Sequence, residues 1–382
     1  MSIGVMKAEF VPDRILEISD EMLEQNAKHF IHNFSGIPVI APSEWDNEEY
    51  IKDLVKEDYD LMYSNPPCSG LSNINRNASA SNEVNKYIYK FVDTVNIVKP
   101  KTFLMENAPT LISRGKIILN YLVSTLKDYN ITVIRDYAGN HGVAMRRQRT
   151  LVIGTRKDIL DGFLPIYPTI HRVNVADVLL EDEFSDLDSA PVYNLELVPE
   201  RTCKDLEKYY DSVLPGDSIM TTLAKLSDNI ILNLDISPNI KRQIFTLKDK
   251  MNNNKGAYEK SPSRLKLDEW SPSLASVMEF IHPIYNRPLY IREYARLMGY
   301  PDNFEFISDA KVPYIQAIAQ GVPVNFAKWA AGQIKNYLDN PSDNISIMNN
   351  RSIRYLNICN YKNITAKVFT IDEFINIDNI CK

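Results

Sequence analysis

The chain has 382 residues, 45% hydrophobic and 24% charged, with 43 basic and 49 acidic side chains and a net charge of −6. That length suggests about two domains of ~150–200 residues each, and the apolar runs are far shorter than the ~20 residues needed to span a membrane. The start, MSIGVMKAEF, has no basic segment followed by an apolar run, so it does not read as a secretory signal. Along the first half, short β-like runs alternate with helical patterns. RILEIS (14–19) reads as a strand and EMLEQNAKHFIHNF (21–34) as a helix; YDLMYS (59–64) is a strand and NKYIYKFVDTVNIV (85–98) a helix stopped by Lys99-Pro100. KTFLMEN (101–107) is a strand, KIILNYLVSTLKDY (116–129) a helix, and ITVIRDYA (131–138) and TLVIGT (150–155) are strands. This rhythm predicts an α/β fold with a parallel, doubly wound sheet. Chemistry in such sheets gathers at the carboxyl ends of the strands, where NPPCSG and ENAP both fall.

From 160 to 285 the rhythm is lost, and a second, smaller, irregular domain is expected at 161–285. Regular helical spacing returns in RPLYIREYARLMGYPDNFEF (287–306), and YIQAIAQGVPVNFAKWAAGQIKNYL (314–338) reads as a helix pair interrupted at Gly321-Val322-Pro323. The first domain therefore spans 1–160 and resumes at 286–340, leaving 341–382 as an Asn- and Ile-rich extension with no assignable element.

Cys68, Cys203, Cys359 and Cys381 are widely spaced and form no CxxC pair, which argues against a disulfide framework and a zinc site. A reducing cytoplasm is the expected compartment, and no metal is expected. The net charge argues at first sight against a polyanionic partner, but binding needs only one basic face. The charge is uneven: DVLLEDEFSDLD (177–188) is acidic, while Lys241, Arg242, Lys248, Lys250, Lys255, Lys260, Arg264 and Lys266 crowd 241–266 and MRRQR occupies 145–149.

Five segments, in order, resemble the DNA (cytosine-5) methyltransferase family. NPPCSGLS (65–72) is similar to its Pro-Cys nucleophile loop and FLMENAP (103–109) to its Glu-Asn-Val segment. HGVAMRRQRTLVIG (141–154) resembles the Gly-Val-Pro-Gln-x-Arg-x-Arg segment. RPLYIREYARLMGYPDNFEF and QAIAQGVPVNFAKWAAGQI (316–334) resemble the two closing segments. The resemblance implies a Rossmann-like methyltransferase domain with an inserted target-recognition domain, using S-adenosylmethionine to methylate carbon 5 of a cytosine flipped out of duplex DNA.

In that chemistry Cys68 is the nucleophile that adds to carbon 6, and Glu106 is the proton-sharing partner of the ring nitrogen. Arg147 and Arg149 hold base and backbone through bidentate hydrogen bonds. Glu17 is expected on the ribose of the donor, with Pro66, Val322, Pro323 and Asn325 also on the donor side. Ser69, Ser72, Asn107, Arg146, Lys241, Arg242, Lys260 and Arg264 are the expected DNA contacts. Residues about 165–280 would read the sequence from the major groove, and the basic end at 241–266 would contact phosphates.

The sequence departs from the pattern in several places. MSIGVMKAEF resembles the helix after the family's Phe-x-Gly-x-Gly strand-turn, so that strand is expected before Met1, in a longer reading frame. A second polypeptide supplying it, or a degraded and inactive chain, are the alternatives. Met145 replaces the Gln of the arginine segment, Ala319-Gln320 replaces the closing Gly-Asn, and Ser69 replaces the residue after the nucleophile. Two other functions stay open: a silent or partner-dependent DNA-binding subunit of a split methyltransferase, and a tRNA cytosine-5 methyltransferase. The expected partners are duplex DNA, a cognate restriction endonuclease and a polypeptide carrying the missing strand.

Overall fold

The computed structural model describes residues 1–17, 31–71, 79–160, 162–180, 204–253, 261–274, 279–306, 314–341 and 352–377. The helix expected at 21–34 lies mostly outside them. The chain divides into two compact units, 1–172 with 322–382, and 173–321.

The first unit opens with helix α1 (Ser2–Met6). Strands β1 (Ile15–Leu16) and β2 (Val39–Ile40) pair in parallel as a small sheet of their own. Two short helices follow, α2 (Pro42–Trp45) and α3 (Glu48–Leu54), and the Asn47 side chain caps α3 by accepting the Glu49 N–H at 3.0 Å. Strand β3 (Leu61–Ser64) runs through α4 (Lys86–Val98) to a parallel β4 (Thr102–Asn107). Lys99, with φ 52°, ends α4 in a left-handed turn before Pro100. After α5 (Lys116–Thr125) come β5 (Tyr129–Tyr137) and β6 (Gln148–Arg156).

Strand β6 lies between β5 and β4 and is antiparallel to both. The α/β reading holds, but the all-parallel sheet does not. The connection at 138–147 is too short for a helical crossover, so the chain must turn back beside the strand it has just left. The sheet order is β10-β9-β5-β6-β4-β3. Its last two strands, β9 (Ser352–Asn357, parallel to β5) and β10 (Thr365–Thr370, antiparallel to β9), come from the C-terminal segment without an assigned element.

Period-two alternation sorts β4 between the faces of the sheet. Phe103 and Met105 enter a core with Ile88, Val92, Leu119, Leu122 and Val133, which also takes Tyr355 and Phe374 from the C-terminal segment. Glu106 is therefore turned to the opposite face. The parallel relations put the carboxyl ends of β3, β4, β5 and β9 on one edge of the sheet.

The second unit contains α6 (Val175–Leu179), a 3-10 helix at Lys204–Ser212, α7 (Ile219–Ala224), α8 (Asp228–Asn233) and α9 (Pro238–Asn252). Its core joins Leu206, Tyr210, Ile219, Leu223, Ile231 and Ile244 with Ile281. The short strands β7 (Ser263–Arg264) and β8 (Phe280–Ile281) pair in parallel. Helices α10 (Ile291–Leu297) and α11 (Tyr314–Gln320) belong to this unit. Packing thus moves the expected boundaries from 160 and 286 to 172 and 321. One reason is visible in α10, where the Tyr294 hydroxyl accepts the Phe280 N–H at 2.8 Å and Glu293 pairs with Arg287. The chain rejoins the first unit ahead of α12 (Val324–Asp339), and α13 (Ile371–Asn376) follows β10.

Among the described residues no helix is long and apolar enough to cross a membrane.

Candidate active site

The loop after β3 carries Cys68, a half-buried free thiol, and Pro66, which is buried. The Leu71 N–H donates to Cys68 O at 3.0 Å, closing a tight turn through Ser69 and Gly70. Gly70 is needed for close approach: a Cβ there would lie 2.4 Å from Asn85 Oδ1. Asn85 in turn donates to Ser79 O at 2.9 Å and to Ala80 O at 3.0 Å, fixing the chain that returns to the loop.

The loop after β4 is tied to the cysteine loop. Asn107 Nδ2 donates to Pro66 O at 3.2 Å, Asn107 Oδ1 accepts the Ala108 N–H at 2.8 Å, and Thr110 Oγ1 donates to Leu71 O at 2.6 Å. Asn107 is fully buried, which leaves it no surface for the expected DNA contact; its amide instead holds the cysteine loop.

Glu106 is 6% exposed, and Arg149 Nε lies 2.7 Å from its Oε1. The contact is an ion pair, not a directed hydrogen bond, because that oxygen is buried without one. The guanidinium offsets the burial of the carboxylate charge.

Arg147 is buried, Arg149 half-buried and Arg146 exposed beside the Tyr137 ring. Their loop is braced from beneath. Gly142 has φ +74°, a conformation that favours glycine, and its carbonyl accepts from Asn325 Nδ2 at 2.7 Å. Beside it, His141 Nε2 meets Asp136 Oδ2 at 2.6 Å, and the imidazole stacks on Trp329 with centroids 3.9 Å apart. The structure thus joins α12 to the arginine loop through Asn325. The sequence reading missed His141, Asp136, Asn85 and Thr110; the position of His141 directly before Gly-Val in a recognised segment was the available signal for that one.

Glu17 is half-buried just after β1, while Val322 and Pro323 are buried ahead of α12. Ser69 is exposed, and Ser72 and Lys260 lie outside the described residues. In the second unit, Lys241 Nζ donates to Leu232 O at 2.5 Å and Arg242 Nη2 to Asn239 Oδ1 at 2.8 Å.

Arg264 departs from its expected phosphate role. It is 5% exposed, and its donors go to Val213 O, His282 O, Tyr285 O, Tyr210 O and Asn286 Oδ1 at 2.6–3.2 Å. A guanidinium whose fork is used this way staples the unit internally.

The model of the C-5 cytosine-specific DNA methylase family matches residues 2–336. The chain belongs to this family. It is 25% identical to Type II methyltransferase M.XorII of Xanthomonas oryzae pv. oryzae, covering 91% of this chain and 85% of that protein. Against Type II methyltransferase M.PspPI of Psychrobacter sp. the identity is 27%, over 70% of this chain and 62% of the relative's length. The fold is similar to that of a protein encoded within an E. coli prophage and assigned as a DNA modification methyltransferase. There the TM-score is 0.58 at 22% identity, covering 89% of this chain and 96% of that one. It is similar as well to DNMT2 of Spodoptera frugiperda, with a TM-score of 0.50 at 10% identity over 87% and 95% of the two chains.

Proposed function

We propose that this protein transfers a methyl group from S-adenosylmethionine to carbon 5 of a flipped-out cytosine in duplex DNA. The observation that carries the reading is Glu106: a buried carboxylate, charge-paired with Arg149, with an oxygen lacking a hydrogen bond. It stands one residue before Asn107, whose amide holds the loop of a free cysteine.

Cys68 attacks carbon 6 of the ring as a thiolate. Electron density moves toward the ring nitrogen beside the exocyclic amine, and Glu106 shares a proton there, favouring the adduct; once carbon 5 is methylated, loss of its proton to a base and departure of the Cys68 thiolate from carbon 6 restore the aromatic ring and the free thiolate. Arg149 fixes the Glu106 carboxyl group, and Arg147 in the same loop orients the base. A stacked base cannot be reached this way, so the cytosine leaves the duplex.

The residues present suit the methyl donor in their chemistry. Glu17 is a carboxylate for ribose hydroxyls at the end of β1, and Pro66, Val322 and Pro323 offer buried apolar walls, with Asn325 beside them in sequence. When bound, the donor supplies an electrophilic methyl group. The outer edges of β1 and β3 pair with no strand among the described residues, which suits a further strand there, from this polypeptide or another.

We assign sequence reading to residues about 165–280, most of them in the second unit, with Lys241 and Arg242 at the backbone; Ser69 and Arg146, in the first unit, are assigned to DNA beside the flipped base. A restriction endonuclease is the companion this reading implies.

The test is transfer of labelled methyl from S-adenosylmethionine into mixed-sequence duplex DNA. Incorporation that disappears in Cys68→Ala supports the reading. Preferential labelling of tRNA in direct competition moves the substrate to RNA. Duplex binding with no transfer, unchanged by Cys68→Ala, leaves a DNA-binding subunit in its place.

A further inference from the structure

The C-terminal hairpin lies beyond the family-matched residues 2–336, yet it is built into the catalytic sheet. Because β9 is parallel to β5, the turn leaving β9 comes out on the same edge as the loops of Cys68, Glu106 and the arginines. That turn is clasped to the arginine loop. The Ile358 N–H donates to Arg135 O at 3.0 Å, Asn140 Nδ2 to Ile358 O at 3.4 Å, and Gln148 Nε2 to Cys359 Sγ at 3.0 Å. Burial pushes the Cys359 thiol up to about 11, so it stays protonated and serves as a hydrogen-bonding group.

A third segment completes the edge. The His171 N–H donates to Asn140 O at 2.8 Å, Arg172 Nη2 donates to Asn140 Oδ1 at 3.1 Å, and the Arg172 guanidinium lies 4.8 Å from the centre of the Tyr361 ring. Arg172, Tyr361 and Lys362 are all exposed. Charge is segregated here. Residues 137–157, 162–172 and 351–370 contain no Asp or Glu, although acidic side chains outnumber basic ones in the whole chain, 49 to 43.

We propose that the β9–β10 turn, through Lys362 and the Tyr361-stacked Arg172, is a second contact for the phosphate backbone of the substrate duplex, flanking the site of base flipping. The inference rests on the DNA reading above and adds a surface to it. Stacking on Tyr361 restricts the guanidinium before a phosphate arrives, and the clasp fixes its distance from Arg146, Arg147 and Arg149.

The test is the salt dependence of duplex binding by the full chain, for wild type, Lys362→Gln, Arg172→Gln and the double variant. Lys157→Gln is the control: Lys157 follows the carboxyl end of antiparallel β6, on the opposite edge, and its Nζ donates to Lys127 O. Each lost phosphate contact makes the slope of log affinity against log salt less negative by about 0.9, and the double variant by about 1.8. The weakening is uniform across sequences and greater at 50 mM than at 200 mM salt. Wild-type slopes in all the variants overturn the inference and leave the methyltransferase reading standing. A wild-type chain that neither binds nor methylates duplex DNA overturns both. Lys362 sits at an exposed turn, so its variant reports on binding even if Arg172→Gln perturbs the fold.

Discussion

Arg264→Ala separates a structural staple from a phosphate contact. The side chain donates to Val213 O at 2.7 Å, His282 O at 2.8 Å and Tyr210 O at 2.7 Å in buried surroundings, with Tyr285 O and Asn286 Oδ1 at the margin. Truncation orphans the buried carbonyls of Val213 and His282, each costing about 1–3 kcal/mol before relaxation, while Tyr210 O keeps the Val213 N–H at 3.1 Å. Water entering the vacated space recovers part of that, so a net loss of about 2–4 kcal/mol is expected for the second unit. Arg264→Lys retains the charge but not the fork, and should lose roughly half as much. Urea unfolding followed by a probe in that unit reads the effect as a lower midpoint. If Arg264 were instead a DNA contact, Arg264→Ala would keep the wild-type midpoint and flatten the salt slope of duplex binding, while Arg264→Lys would bind normally. That pair of results would refute the structural assignment.

Replacing Glu106 with Gln keeps the shape but removes the group proposed to share a proton with the ring, and methyl transfer at saturating DNA should fall by roughly 10²–10⁴; an unchanged rate would remove Glu106 from the proposed mechanism. Gly70→Ala drives a Cβ to within 2.4 Å of Asn85 Oδ1, displacing the side chain that holds Ser79 and Ala80. Transfer should drop about tenfold or more through misplacement of Cys68, for a stability cost of about 1–3 kcal/mol, as parallel rate and thermal measurements would show. His282 gives the second unit an acid sensitivity. Burial lowers it to about 4, and its Nδ1 accepts the N–H groups of Ile284 and Tyr285, both at 3.1 Å. The unfolded chain, with a His near the ordinary 6.5, binds this proton first as pH falls, so stability is lost from about pH 6.5 down to about 4. The loss is roughly 2 kcal/mol by pH 5, and urea midpoints across this range should flatten in His282→Gln.

What the sequence revealed was local. The Pro-Cys loop, the Glu-Asn pair and the arginine segment lie in short stretches, and strand ends could be placed around them from periodicity alone. The direction of β6 was not legible because it depends on the length of a connection rather than on the strand's own residues. Residues 340–382 gave no element because β9 is buried among distant partners while β10 is exposed for much of its length, so neither gives a clear alternation. Arg264 misled for a related reason: it stands in a run of surface lysines, and the carbonyls that take its donors come from positions 18–54 residues away. Asn107 carries two expectations in sequence, fixing a loop and touching DNA; the structure shows its amide on Pro66 O and its side chain buried.

The placement of these polar groups explains how a reactive edge is kept open on a well-packed sheet. One face of β4 is committed to apolar packing through Phe103 and Met105, and the alternation of the strand leaves Glu106 on the other. The loops of Cys68, Glu106 and the arginines are held by side-chain amides and hydroxyls reaching backbone carbonyls: Asn107 to Pro66, Thr110 to Leu71 and Asn325 to Gly142. Such bonds add only about 0.5–1.5 kcal/mol each to stability, but they position the loops, and a misplacement of about 1 Å costs far more in rate than it does in folding. Loss of a single staple should therefore reduce methyl transfer well before it unfolds the sheet. The C-terminal hairpin follows the same rule, since Gln148, next in sequence to Arg149, is held by Cys359. A segment beyond the family match thereby helps fix the arginine that pairs with Glu106.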